Sequence, residues 1–186
     1  MEKNLRVLQI VNDLEPPFKL VAKSYAESFS GCNVTTVVLK GARDERFSNE
    51  IYGDVYFLEF SAQSLKGLKV RAILKVKSLI AVISPNIVIS HRYKPFFIAV
   101  ILNYFFSIEL VLGVVHHYGF LDRKSRFLFS LFWKKNVELI GVSPPVCDYL
   151  KQRLGEGRRR VNFVQQGYFK PTLLDKGDAL KSLGLS

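Results

Sequence analysis

The chain has 186 residues, enough for one α/β domain with a real core and too few for two of ordinary size. Its apolar fraction of 48% excludes an intrinsically disordered chain. Lysine and arginine number 27 against 16 acidic residues, a formal charge of +11, so an anionic partner is expected: nucleic acid, an anionic membrane surface or a phosphorylated substrate, as the placement of the charge decides.

Cys32 and Cys147 stand far apart, in no metal-ligand or redox spacing, and read as free thiols of a reducing compartment. No secretory leader is expected, because Met1–Arg6 runs straight into a strand-like segment. The most apolar stretch, Pro95–Phe106, is shorter than the roughly 20 residues a spanning helix needs. A cytoplasmic protein, not integral to a membrane, is expected.

Leu5–Val11 is a short β-rich run. Phe18, Val21, Ala22, Tyr25 and Phe29 then recur at helical spacing, and Gly31 closes that helix. Val34–Leu39 and Val55–Phe60 read as the second and third strands, followed by a long helix over Leu65–Ile83 that Pro85 stops. Ile87–Ile89 forms a buried strand, Pro95–Phe106 a helix, Leu110–Val115 a strand, and Arg123–Lys134 a basic aromatic helix. Val137–Val142 is another strand, Ser143 is placed to cap a helix over Pro144–Leu154, and Val161–Val164 is the last strand. Such alternation predicts a Rossmann-like α/β fold, an open parallel sheet with helices on both faces.

Ligands of open parallel sheets sit at the carboxyl ends of the strands, so the residues just past each strand are the candidates. After the first strand, the segment from Asn12 through Asp13, Glu15, Pro16 and Pro17 to Phe18 leads into a helix whose first N–H groups could face an anion. No Gly-x-Gly-x-x-Gly follows, and a proline-initiated helix without a ligand is the alternative. After the fourth strand stand His91 and Arg92: the histidine serves packing or the site, and the guanidinium suits phosphate or carboxylate. After the fifth come His116 and His117. Neighbours leaving a strand point in opposite directions, so this pair does not grip one metal. One ring faces the cleft, where it can donate a hydrogen bond or stabilise developing charge, and the other packs or is exposed. No Gly-x-Ser-x-Gly elbow surrounds Ser143, which leaves it the capping role.

Four stretches in this order resemble the amino-terminal domain of the retaining GT-B glycosyltransferases (glycosyltransferase family 4-like, group 1). Pro85–His91 is similar to the family's "PDIVHxH" strand and Val114–His116 to its "TVH" strand end. Leu139–Val146 is similar to "IIAVSxxV", and Val164–Tyr168 to "VPNGVD", which leads to the interdomain linker. The resemblance implies an acceptor-side domain over residues 1–172, with 173–186 as linker and start of a donor-binding half, and a fragment inactive by itself. It implies transfer of a sugar, with retention and without a metal or other cofactor, from a nucleotide sugar such as a UDP- or GDP-sugar. The acceptor would be a glycan or glycolipid of lipopolysaccharide or another surface polysaccharide. His116 would be the catalytic, sugar-contacting imidazole, with His117 the fallback. His91 and Arg92 would line the acceptor side, Asp13, Glu15, Pro16 and Phe18 the diphosphate region, and Gln166 and Gly167 the linker motif. Two departures stand out: Pro16-Pro17 replaces the frequent Gly-Gly, removing amide donors, and Gln166 replaces Asn.

The charge concentrates on two helices. Lys66, Lys69, Arg71, Lys75 and Lys77 crowd one, and Arg123, Lys124, Arg126, Lys134 and Lys135 flank Phe127, Phe129, Phe132 and Trp133 on the other. Cations mixed with outward aromatics fit docking on anionic lipid, at the inner face of the cytoplasmic membrane. Arg158, Arg159 and Arg160 add to the charge. No helix-turn-helix, zinc-ligand or RNP pattern supports a nucleic-acid partner. The rival reading is a non-catalytic α/β module holding an anionic partner on its basic face.

Overall fold

The structure, a computed structural model, describes residues 5–67, 69–155 and 161–164. Among them are seven strands, β1 (Arg6–Val11), β2 (Asn33–Lys40), β3 (Asp54–Phe60), β4 (Ile87–His91), β5 (Leu110–Val115), β6 (Val137–Gly141) and β7 (Val161–Phe163). They alternate with six helices, α1 (Phe18–Ser28), α2 (Glu45–Glu50), α3 (Val70–Ile83), α4 (Tyr93–Leu102), α5 (Lys124–Ser130) and α6 (Pro144–Leu154). All strand pairs are parallel, in the order β3-β2-β1-β4-β5-β6-β7. This is the expected Rossmann-like fold.

The two-residue period of the strands sorts their side chains into two layers. Val7, Val11, Ile89 and Val114 join Ala22, Ala26 and Phe47 beneath α1 and α2. Leu8, Ile10, Val88, Val111 and Val115 join the apolar positions of α3, α4 and α6 on the opposite face. Glycines set how closely that second layer approaches the sheet. A Cβ on Gly113 would lie 2.6 Å from the Phe96 ring, and one on Gly141 2.5 Å from Cys147 Sγ. Phe96 and Cys147 therefore occupy the space a side chain would need on β5 and β6.

Several element boundaries differ from expectation, each for a local reason. α3 begins at Val70 and not at Leu65, because Gly67 and Lys69 take left-handed backbone (φ 58° and 56°) just before it. α4 starts two residues early, with Pro95 tolerated in its first turn, and ends at Leu102. There the Asn103 and Asn136 carboxamides bond each other at 2.9 and 3.1 Å. The basic aromatic segment is helical only over Lys124–Ser130. Ser143 occupies the N-cap position of α6 in extended backbone, but its side chain makes no cap bond. Pro145, at the second helical position, removes one of the two N–H groups that such a cap could serve.

The short α2 was not foreseen; the Asp44 carboxylate caps it by accepting from the Phe47 N–H at 2.8 Å. The aromatic residues expected to face outward divide. Trp133 is buried against Phe96, with ring centroids 4.8 Å apart. Phe129 packs on Phe97 at 4.8 Å, while Phe132, Leu128 and Leu131 are exposed. Arg158, Arg159 and Arg160 lie outside the described residues.

Candidate functional site

In the strand order, β1 has β2 on one side and β4 on the other. The chain therefore leaves β1 and β4 toward opposite faces, opening a crevice at their carboxyl ends. Asp13, two residues past β1, and Arg92, one past β4, meet across it. The Arg92 guanidinium lies 3.2 Å from Asp13 Oδ2 and 3.4 Å from Oδ1. Asp13 is buried and also accepts from the Asn12 carboxamide. The Arg92 side chain keeps 37% of its surface exposed, so one end of the pair reaches solvent. Phe18, the first residue of α1, places its ring 4.8 Å from the guanidinium carbon, within reach of a cation–π contact.

Arg92 has φ 74° and ψ 166°, a backbone region otherwise reserved for glycine and costing on the order of 1–3 kcal/mol. It is held there from several sides. Its N–H bonds Val114 O at 3.3 Å and its carbonyl accepts from Phe96 N–H at 3.3 Å, in addition to the contacts with Asp13 and Phe18.

The histidines lie on the α1 side of the same edge. Ile87, Ile89 and His91 share one face of β4, as Leu112, Val114 and His116 do at the end of β5. His91 pairs in register with Val114, which brings the two rings together. His91 Nδ1 and His116 Nε2 are 3.4 Å apart, and the ring centroids 5.7 Å. His91 is buried under the Tyr25 ring, at 4.7 Å edge-on, and its Nε2 has no partner among the described residues. His116 is half-buried against Phe18 at 5.2 Å. Burial, reinforced by the neighbouring His116, pushes His91 down to about 3. Burial and the charges of His117 and Arg92 push His116 down to about 4. Both rings are neutral at pH 7.

Asp13, Phe18, His91, Arg92 and His116 thus converge on one crevice. The other expected positions fall elsewhere. Glu15 is exposed and pairs with Lys40 of β2 at 3.1 Å. Pro16, also exposed, is joined to Pro17 by a cis peptide bond. The first amides of α1 are largely spent within the chain: Phe18 N–H donates to Glu15 O, and those of Leu20 and Val21 to Pro17 O. His117 is exposed, and its Nδ1 contacts the Tyr118 carbonyl. Gln166 and Gly167 lie outside the described residues. Tyr25 shows in the sequence only as a position at helical spacing; its place seven residues after Phe18 puts both rings on the helix face over the histidines. Among the described residues no group of three or more His, Cys, Asp or Glu could hold a metal ion.

No protein-family profile and no curated protein matches the sequence. Solved structures do share the fold. A glycosyltransferase from Rickettsia africae is 15% identical, with a TM-score of 0.68 over 99% of this chain and 50% of its own. A UDP-N-acetylglucosamine 2-epimerase from Rickettsia bellii is 16% identical, with a TM-score of 0.65 over 99% and 52%. The lipopolysaccharide outer core galactosyltransferase WaaB is 12% identical, with a TM-score of 0.59 over 85% and 44%. The chain has the fold of one half of such proteins. It spans about half the length of each, and at these identities the likeness is one of fold.

Proposed function

We propose that this chain is the acceptor-side half of a retaining GT-B glycosyltransferase that moves a sugar from a nucleotide donor to a hydroxyl of a glycan or glycolipid. The observation that carries the reading is the convergence of His116, Phe18 and the Asp13–Arg92 pair at the crevice where open α/β sheets bind ligands, with burial favouring the neutral form of the imidazole. A neutral imidazole can bond a sugar oxygen or a developing negative charge at the leaving phosphate. Arg92, with part of its guanidinium in solvent, can bond a phosphate oxygen or a substrate carboxylate. In the transfer the bond from the anomeric carbon to the donor phosphate breaks. A bond to the acceptor oxygen forms on the same face, and the acceptor proton passes to the departing phosphate oxygen. In this reading residues 1–172 form the acceptor half and 173–186 begin the donor half, so the isolated chain binds nucleotide sugar only weakly. Lipopolysaccharide or another surface glycan is the proposed product, and WaaB, of the same fold, bears a name in that chemistry.

The site of action in this proposal is the cytoplasmic face of the membrane. α3 and α5 flank α4 on one side of the sheet. Lys66, Arg71, Lys75, Arg123 and Lys124 are exposed there, with Leu74, Leu128 and Phe132 also exposed. Cations close to an anionic bilayer contribute about 1 kcal/mol each. Among the described residues no helix is long and apolar enough to cross a membrane.

The test joins this chain to a donor-binding half and supplies a panel of nucleotide sugars with glycolipid acceptors. Release of nucleotide together with glycosylated acceptor supports the reading. Epimerised sugar without transfer, or no consumption of any donor, overturns it.

A further inference from the structure

His91 and His116 form a part-buried contact whose proton bookkeeping has few solutions. Each neutral imidazole carries one N–H and one lone pair. The two nitrogens that face each other at 3.4 Å, His91 Nδ1 and His116 Nε2, can bond only if one carries hydrogen and the other does not. If His116 donates, His91 must keep its own proton on Nε2. That atom is buried, with no acceptor among the described residues, and an unmet buried donor costs about 1–3 kcal/mol. If His91 donates from Nδ1, its Nε2 is left as an unmet acceptor, a defect of the same kind that buried structure tolerates somewhat more often than an orphaned N–H. His116 then keeps its proton on Nδ1, which makes no hydrogen bond among the described residues.

We propose that His91 is a positioning residue that locks His116 in the tautomer carrying hydrogen on Nδ1, so that the crevice is offered a fixed N–H donor. This rests on the reading of His116 as the sugar-contacting group and refines it. The ligand atom at His116 must be an acceptor: a sugar oxygen presenting a lone pair, or a phosphate oxygen. His116 is thereby excluded as the base that takes the acceptor hydroxyl's proton. The surroundings hold the arrangement. Tyr25 and Phe18 of α1 cover the two rings, Arg92 lies beside His116 with its charge turned to Asp13, and His117 points to solvent. Free imidazole side chains in water favour hydrogen on Nε2, so the locked form departs from that preference, and among the described residues the His91 contact supplies the reason.

The experiment is long-range proton–nitrogen correlation spectroscopy of the nitrogen-15 histidine-labelled chain at pH 7, without nucleotide sugar. The expected spectrum shows His116 with hydrogen on Nδ1 and a lone pair on Nε2. His91→Asn, whose carboxamide nitrogen replaces the Nδ1 donor, should keep that pattern. His91→Leu should let His116 revert to hydrogen on Nε2. A wild-type His116 protonated on Nε2, or an unchanged tautomer in His91→Leu, overturns the proposal. Should His91→Leu lose the dispersed spectrum of a folded chain, the wild-type tautomer still decides. With a donor half joined, kcat should fall about tenfold or more in His91→Leu, as for a misdirected donor, and recover in His91→Asn. The Nδ1 tautomer without any sugar transfer would leave this inference standing and remove the proposed function alone.

Discussion

The crevice at the ends of β1, β4 and β5 and the outer surface of α3 and α5 are built from the same materials, aromatic rings and cations, put to opposite uses. At the crevice the cation is tied down: Arg92 binds a buried carboxylate, lies over Phe18 and sits in strained backbone. On the surface, Arg71, Lys75, Arg123 and Lys124 stand in solvent with no ion pair among the described residues. The rings differ too. Phe18 and Tyr25 cover polar groups at the crevice, whereas Trp133 and Phe129 of the basic segment turn inward and fill the core. A charge held in a low-dielectric site shapes one ligand at short range. An array of solvated charges acts collectively on an extended surface and is screened by salt.

Acid should expose the contrast most strongly. His91 and His116 stay neutral in the fold down to about 3 and 4, while unfolded histidine titrates near 6.5. The unfolded chain therefore binds more protons as pH falls below 6.5, and the fold loses stability through that window. Between pH 7 and pH 5 the loss is about 2 kcal/mol for each histidine. Urea unfolding at the two pH values measures it, and His91→Leu should remove one share. A stability that does not change over this range would mean that the rings are not held neutral.

Next in size, His116→Ala in a protein carrying both halves should lower turnover by roughly ten- to a thousandfold with the fold intact, as for loss of one preorganised donor. Unchanged turnover would take His116 out of the chemistry. Arg92→Ala should destabilise by about 1–3 kcal/mol, because it strands the Asp13 carboxylate. Arg92→Gly should cost roughly 1 kcal/mol less than Arg92→Ala, since glycine tolerates φ 74°. Equal midpoints for the two in denaturant would show that the strain is absent.

The surface should respond least in stability and most in docking. Changing Lys66, Arg71, Lys75, Arg123 and Lys124 to Ser should alter unfolding free energy by less than about 0.5 kcal/mol per site. The same changes should abolish sedimentation with phosphatidylglycerol vesicles at low salt. Arg126 and Lys134 are engaged within the fold and do not belong to this solvated set. Arg126 bonds the Gly119 and Phe120 carbonyls at 3.1 and 3.2 Å, and Lys134 Nζ bonds Asn103 O at 2.6 Å. A wild-type chain that ignores such vesicles would end the membrane proposal.

The alternation of apolar runs and helical periods was legible along the chain, because burial writes a period of two on a strand and about 3.6 on a helix. The seven strands, the parallel class and the rule pointing to their carboxyl ends follow from that pattern. So does the opposite direction of His116 and His117, which needs only the strand period. The pairing of Asp13 with Arg92, 79 residues away, carries no local signature. Neither does the meeting of His91 with His116, which depends on the register of β4 against β5. Tyr25 shows in the sequence only as one more apolar helical position; that it covers a histidine depends on how α1 crosses the sheet. The inward turn of Trp133 was decided in the same way. An aromatic among lysines reads as surface, but the space above the Gly113 backbone lets Phe96 approach β5, and Trp133 closes over Phe96. Local periods are set by each segment's own burial, whereas contacts between strand ends and helix faces are set by register and packing, which no single segment contains.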